Sequence, residues 1–449
     1  MINKKIPILI ITFALLNNCS FDTKTGIWGD SAKERKKISE LEKAQKEILK
    51  VEKIYSTEAI FEKEITLKDK VILLEEEKNF SWTMPNLNQQ NFLSNLYLPD
   101  VDNILLKKKI GKNKFSIHRS NTSLLIFNDN IIFSDDVGTI FCINEKGKLI
   151  WKANIYKKTF KKVYKNLVFT IYKNNIFVAD NLGLVYAINL NSGALLWVKN
   201  HEVPIRSNIK VFDNKIFLID QDNKVFCLNT ADGSLIWNFF SISSFIKSQS
   251  LLSLAITYDG NLLAITSSAD VYKFRPANGE IVWSRNTADS LYANATDFFI
   301  SSEISATDKE AIFSSGFNIF SLNILTGETI WQQKVSGIST PIISGKNIFI
   351  VTENGFFVIL DKNTGKIISS TNILKQLKKK KQKTKITGYI MGSGKIYAMT
   401  LNGFLIVSSA SSGKFEYFKK IGDKNISPLV ISNGKLYIHT EESKIFVLN

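Results

Sequence analysis

The residues of this chain that could do chemistry are few and scattered. His118, His201 and His439 lie far apart and lack the short spacing that gathers metal ligands on one element. No histidine sits beside a nucleophile and a carboxylate in a readable triad, so no catalytic, cofactor or metal-binding residue is assigned. Cys142 and Cys227 fall in the same slot of two similar phrases, where a third copy has Ala187. They read as small buried side chains, not as a disulfide. Cys19 is different, because it follows an apolar run and is a candidate for modification. Trp151, Trp197, Trp237, Trp283 and Trp331 could form an aromatic ligand site, but each falls four residues after a glycine. A residue that repeats with the geometry is expected to pack.

Those glycines and tryptophans belong to one recurring phrase. It runs Phe141–Trp151, Tyr186–Trp197, Phe226–Trp237, Tyr272–Trp283 and Phe320–Trp331, with weaker copies around Gly365 and Gly413. Two apolar runs rich in Ile, Val, Phe and Tyr flank Gly147, Gly193, Gly233, Gly279 and Gly327. Such runs suit buried strands, and the glycine supplies the turn between them. A period near 40 residues of strand–turn–strand predicts a β-propeller with one four-stranded antiparallel blade per repeat. The chain ends at Lys444–Asn449 on half a phrase, which makes eight blades with seven whole phrases. The last blade then lacks its outermost strand, and residues 101–111 are expected to supply it and close the ring.

The ends and the charge bound the setting. Lys4 and Lys5, the apolar run Ile6–Leu16 and Cys19 resemble a bacterial lipoprotein signal, which predicts a signal peptide over 1–18 and lipid on Cys19. Asn18 stands where such signals usually carry Gly, Ala or Ser. Ser20, not Asp, follows the cysteine, as in a signal for transfer to the outer membrane. Residues 19–75 read as a tether with a helix over 31–54, and 76–449 as the all-β propeller. The 449 residues carry a net charge of +17, mostly lysine in turns and strand ends. No Arg-rich or aromatic–basic groove accompanies it, so nucleic acid is not expected as a partner.

On the repeat, the eight-blade count and the Cys19 signal, residues 80–449 resemble the BamB family of outer-membrane assembly lipoproteins, in its alphaproteobacterial form. Ser81–Pro85, Gln89-Gln90 and Leu96–Leu98 are similar to that form's Trp-centred segment before the first blade, without its Gly-Gly and His. Pro204–Ser207 with Phe212–Phe217, Phe245–Ser248 with Ser267-Ser268, and Asp297–Ile300 are similar to later family segments. The resemblance implies a non-enzymatic scaffold, anchored on the periplasmic face of the outer membrane. It would bind the periplasmic domains of BamA and other complex subunits, and assist nascent outer-membrane proteins. It further implies partner contacts at Ile246 and Lys247 in one loop and Asp297 in another. Lys247 stands where better-studied members have Arg, whose planar fork a lysine does not reproduce. The alternatives are another periplasmic propeller that binds an envelope partner, and a dehydrogenase using pyrroloquinoline quinone. The phrase also resembles the quinoprotein repeat, but the adjacent cysteines frequent in those enzymes are missing here.

Overall fold

Short β-branched and aromatic runs separated by glycine and asparagine turns cannot bury both faces alone. In a computed structural model of the chain they pair into eight antiparallel sheets of four strands. The structure describes residues 61–115, 124–241, 248, 251–288, 299–377, 384–422 and 428–449. The expected lipidation site Cys19 and the helix over 31–54 lie outside these residues.

Blades 1 to 7 span Leu125–Ala153, Leu167–Asn200, Lys210–Phe240, Leu254–Asn286, Ser305–Gln333, Ile342–Asn372 and Ile386–Lys420, each running from the inner to the outer strand. Blade 8 takes three strands from Val430–Leu448, and its outer strand is Ile104–Lys109, paired antiparallel with Lys444–Leu448. The two ends of the propeller therefore share one sheet, and no inner edge is left open.

Each outer strand carries a one-residue bulge just before its tryptophan slot. The register shifts between Cys142 and Ile143, Ala187 and Ile188, and Cys227 and Leu228, and likewise onward. The bulge sets Trp151 opposite Cys142, Trp197 opposite Ala187 and Trp237 opposite Cys227. A bulky ring thus faces a small side chain, and burial pushes the Cys142 thiol up to about 11 and Cys227 up to about 12. These are inert thiols.

Every indole then reaches into the next blade. Trp151 Nε1 donates to Leu190 O (3.0 Å), Trp197 to Thr230 O (3.1 Å), Trp237 to Pro276 O (2.9 Å), Trp283 to Ile324 O (3.1 Å) and Trp331 to Lys362 O (2.8 Å). The turn glycine of that next blade lies flat on the ring. A Cβ on Gly279, which holds a φ of +75°, would sit 2.7 Å from Trp237. Glycine is needed there for backbone conformation and for closeness.

A strap precedes the ring. Residues 79–98 run along the inner strands and bond to every blade in turn. Trp82 exchanges backbone bonds with Ile126 in blade 1, and Ile171 N–H of blade 2 donates to Thr83 O. Gln89 Nε2 donates to Val211 O of blade 3. Ile256, Ala306, Ile343 and Ser393 of blades 4 to 7 donate to Gln89, Gln90, Leu93 and Leu96. Asn433 N–H of blade 8 donates to Asn79 O. Asn91 is fully buried, and its Nδ2 donates to both Leu254 O (2.9 Å) and Ile304 O (3.0 Å). Upstream, Ile65 pairs antiparallel with Ser370 on the outer strand of blade 6.

Three outcomes follow. Trp237→Ala removes a buried ring and its bond to Pro276, and should lower the unfolding free energy by about 3–5 kcal/mol in denaturant melts. Asn91→Ala strands two buried carbonyls, and should cost about 2–3 kcal/mol while opening 79–98 to limited proteolysis. The third concerns His439, buried in blade 8 against Phe133, with neither ring nitrogen hydrogen-bonded. Burial lowers its pKa from the usual 6.5 to about 4. The folded state therefore binds the proton less readily, so stability is full above pH 6.5 and falls as pH drops toward 4. The loss is at most about 3 kcal/mol. His439→Phe should remove that part of the acid sensitivity in melts taken across this window.

Candidate functional site

The strap closes the axial channel and forms the floor of a cavity of about 140 Å³. Trp82, Asn86 and Leu93 line it from the strap. Its walls come from residues at or just before the inner strands of blades 3 to 8, among them Asn208, Leu251, Glu303, Thr340, Tyr389 and Leu429. The sequence folds this way because those residues sit where an outer strand hands over to the next inner strand. Hydroxyls and amides there are free of the sheet ladder and can face the axis.

Among the described residues the lining holds one formal charge, Glu303. Its Oε1 accepts from Asn208 Nδ2, while Oε2 is buried without a hydrogen-bond partner. Burial raises the pKa of this carboxyl. Behind the wall lies Lys210, fully buried, whose Nζ donates to Asn88 O of the strap (2.7 Å) and lies 3.7 Å from Met84 Sδ. Burial depresses this ammonium, and the Glu303 charge opposes that shift. The lysine is thus spent on the strap and forms no ion pair with Glu303. Tyr389 OH bonds to the carbonyls of Ser339 and Thr340, and Thr340 Oγ1 donates to Asn86 Oδ1 (2.9 Å). Trp82 is 2% exposed, and its Nε1 has no acceptor.

Other acidic groups near this end of the ring serve turns. Asp180 Oδ1 accepts from the N–H groups of Leu182 and Leu184, and its Oδ2 accepts from Tyr156 OH. Asp220 caps Asp222 and Lys224 in the same way. Burial raises both carboxyls. Among the described residues no three His, Cys, Asp or Glu side chains converge as metal ligands.

Ile246, Lys247 and Asp297, named from sequence as partner contacts, lie outside the described residues. Chain connectivity puts them shortly before Leu251 and Glu303. Sequence reading did not single out Asn91, Glu303 or Lys210. The amide run Asn86–Asn91 was the signal available for the strap, and the lone carboxylate in Ser301–Ser305 the signal for the cavity.

The comparisons with known proteins match this architecture. The sequence profile described as "Outer membrane protein assembly factor BamB" matches residues 136–371. The uncharacterized protein RP232 of Rickettsia prowazekii is 23% identical over 215 residues, which is 45% of this chain and 52% of that protein, so the match spans about half of the relative's length. BamB from Moraxella catarrhalis superposes with a TM-score of 0.63 at 13% identity, over 76% of this chain and 99% of that one. The quinohemoprotein alcohol dehydrogenase of Comamonas testosteroni gives 0.61 at 10% identity, over 80% and 76%. At such identities the two superpositions share the fold alone, and the fold is common to a scaffold and to quinone enzymes. The profile match is of another kind, because it follows the sequence through more than half of the chain. On that ground this chain belongs to the family described as outer membrane protein assembly factor BamB.

Proposed function

We propose that this protein is a non-enzymatic scaffold of the outer-membrane β-barrel assembly complex, held on the periplasmic face of the outer membrane by lipid on Cys19. The observation that carries this reading is the family match through blades 1 to 6. The partner is the periplasmic part of BamA, met by the loops that carry Ile246, Lys247 and Asp297 and that lead into the inner strands of blades 4 and 5. Exposed loops on a rigid ring suit such recognition. The propeller would hold the partner's domains in a fixed arrangement and raise the local concentration of nascent outer-membrane proteins. The alphaproteobacterial form of the family is the closer fit, and RP232 of Rickettsia supports it.

A second role is favoured by the Ile65–Ser370 bridge. Both backbone bonds of that bridge are 2.9 Å, so an outer blade edge accepts an added strand from this chain itself. The outer strands of blades 1 to 4 expose apolar pairs such as Leu195 with Leu196 and Leu235 with Ile236. Strand addition there would engage unfolded substrate segments.

The dehydrogenase reading fits the site less well. Among the described residues the cavity is lined by a single carboxylate, Glu303, which would face a fused-ring polycarboxylate without the acidic set that holds calcium beside a quinone. The residues present do not fit that group.

The test is a mild-detergent pull-down of tagged protein from its own envelope, comparing wild type with a Lys247→Glu, Asp297→Lys double variant. Wild type should recover BamA, and the variant should recover at least about tenfold less, as for loss of charged contacts. Recovery with both would discard the assigned loops, and recovery with neither would discard the scaffold reading.

A further inference from the structure

We infer that the axial cavity is a receptor for one organic cation, an ammonium or guanidinium group, with Glu303 as its counter-charge. The inference stands apart from the scaffold reading, since it rests on the cavity alone.

Burying a carboxylate is costly unless it is paired and fully hydrogen-bonded. Burial raises the pKa of Glu303, outweighing Ser253 and the Lys210 charge, which favour the ionised carboxyl. Its Oε1 accepts from Asn208 Nδ2, while Oε2 has no hydrogen-bond partner. The nearest buried cation, Lys210, is turned away to Asn88 O and Met84 Sδ. Among the described residues no other charged side chain lines the space. A cation entering the cavity would complete the pair, and the low local dielectric beside the buried Oε2 would strengthen the attraction.

Size and shape narrow the class. About 140 Å³ has room for the end of one side chain or a small amine. The Thr387 and Ser302 hydroxyls of the wall already donate to Met399 O and Glu303 O, so recognition of the cation falls chiefly on the Glu303 carboxyl. The indole of Trp82 lines the floor, and an aromatic ring is a favourable surface for a cation. The floor itself is rigid, because the strap that carries Trp82 and Asn86 is bonded to all eight blades. The receptor is therefore preformed.

Two sources share this chemistry, a free small cation and a basic side chain presented by a protein. Calorimetric titration of the full chain distinguishes them, using methylguanidinium and the tripeptide Gly-Arg-Gly. Methylurea and Gly-citrulline-Gly serve as neutral isosteres. Saturable binding of methylguanidinium but not methylurea supports the inference with a free cation as occupant. Saturable binding of the arginine tripeptide alone, and not its citrulline counterpart, supports it with a presented side chain. In either case Glu303→Gln should weaken binding by about tenfold or more, as expected for a hydrogen-bonded charge. Glu303→Asp should retain part of it, and both variants are checked for folding by circular dichroism. The cation-versus-isostere contrast is read on wild type and needs no variant. Equal binding of cation and isostere, unchanged binding in a folded Glu303→Gln, or no binding of any probe overturns the inference.

Discussion

Everything in this propeller hangs on an indole of one blade lying on the turn glycine of the next. Each blade is a sheet with two apolar faces, so its stability belongs to its interfaces. The tryptophan fills the wedge, and its Nε1 ties it to a carbonyl at the end of the neighbouring third strand. The bulge before it is what turns the ring toward that neighbour. Five successive interfaces are built this way, from Trp151 on Gly193 to Trp331 on Gly365. Where blade 6 has Ser369 in the tryptophan slot, Gly413 of blade 7 meets the small Ser369 side chain and Ile359 in place of a ring. That is also where the chain lays its own segment around Ile65 against the outer strand. The segment around Ile65 thus lies against the first of the three blade interfaces that lack an indole.

The sequence made much of this legible, because packing recurs with the chain. Repeats from Phe141 to Trp331 announced blades, and the half-phrase at Lys444–Asn449 announced the shared closing sheet that pairs Lys107 with Phe446. The strap was not legible in the same way. It has no period, and its bonds run from single amides such as Gln89 and Asn91 to backbone atoms hundreds of residues away. Glu303 was hidden for a related reason. Its environment is assembled from inner strands of different blades, and no local pattern reports what lies across an axis. Lys273 shows the same limit. It occupies the small-residue slot opposite Trp283, yet it is buried with its ammonium on Asp259 and Ile324 O.

Interior polarity is concentrated near the axis, and the reason is geometric. Outer and middle strands satisfy their backbone groups within a blade, whereas inner strands converge on a channel too narrow for another sheet. The strap meets that need with amide side chains and its own backbone. Loops leading into the inner strands are free of the ladder, which leaves hydroxyls and one carboxylate facing the space above the strap. A rigid ring, a plugged axis and variable loops around its rim are a division of labour suited to binding.

The shared sheet of blade 8 has a consequence for synthesis. The strap and the strand Ile104–Lys109 leave the ribosome before any complete blade, while their last partners are the final residues of the chain. Inner strands reach the strap in the order Ile126, Ile171, Val211, Ile256, Ala306, Ile343, so an early segment can template blades one after another as they emerge. Ring closure must wait for Lys444–Leu448, a pairing that is very distant in sequence, and long-range pairing is slow. Until then the unfinished ring exposes both a bare blade face and an unpaired edge. A protein of the outer-membrane assembly family thus has, during its own birth, the open strand edge that makes unfinished β-structure prone to aggregation.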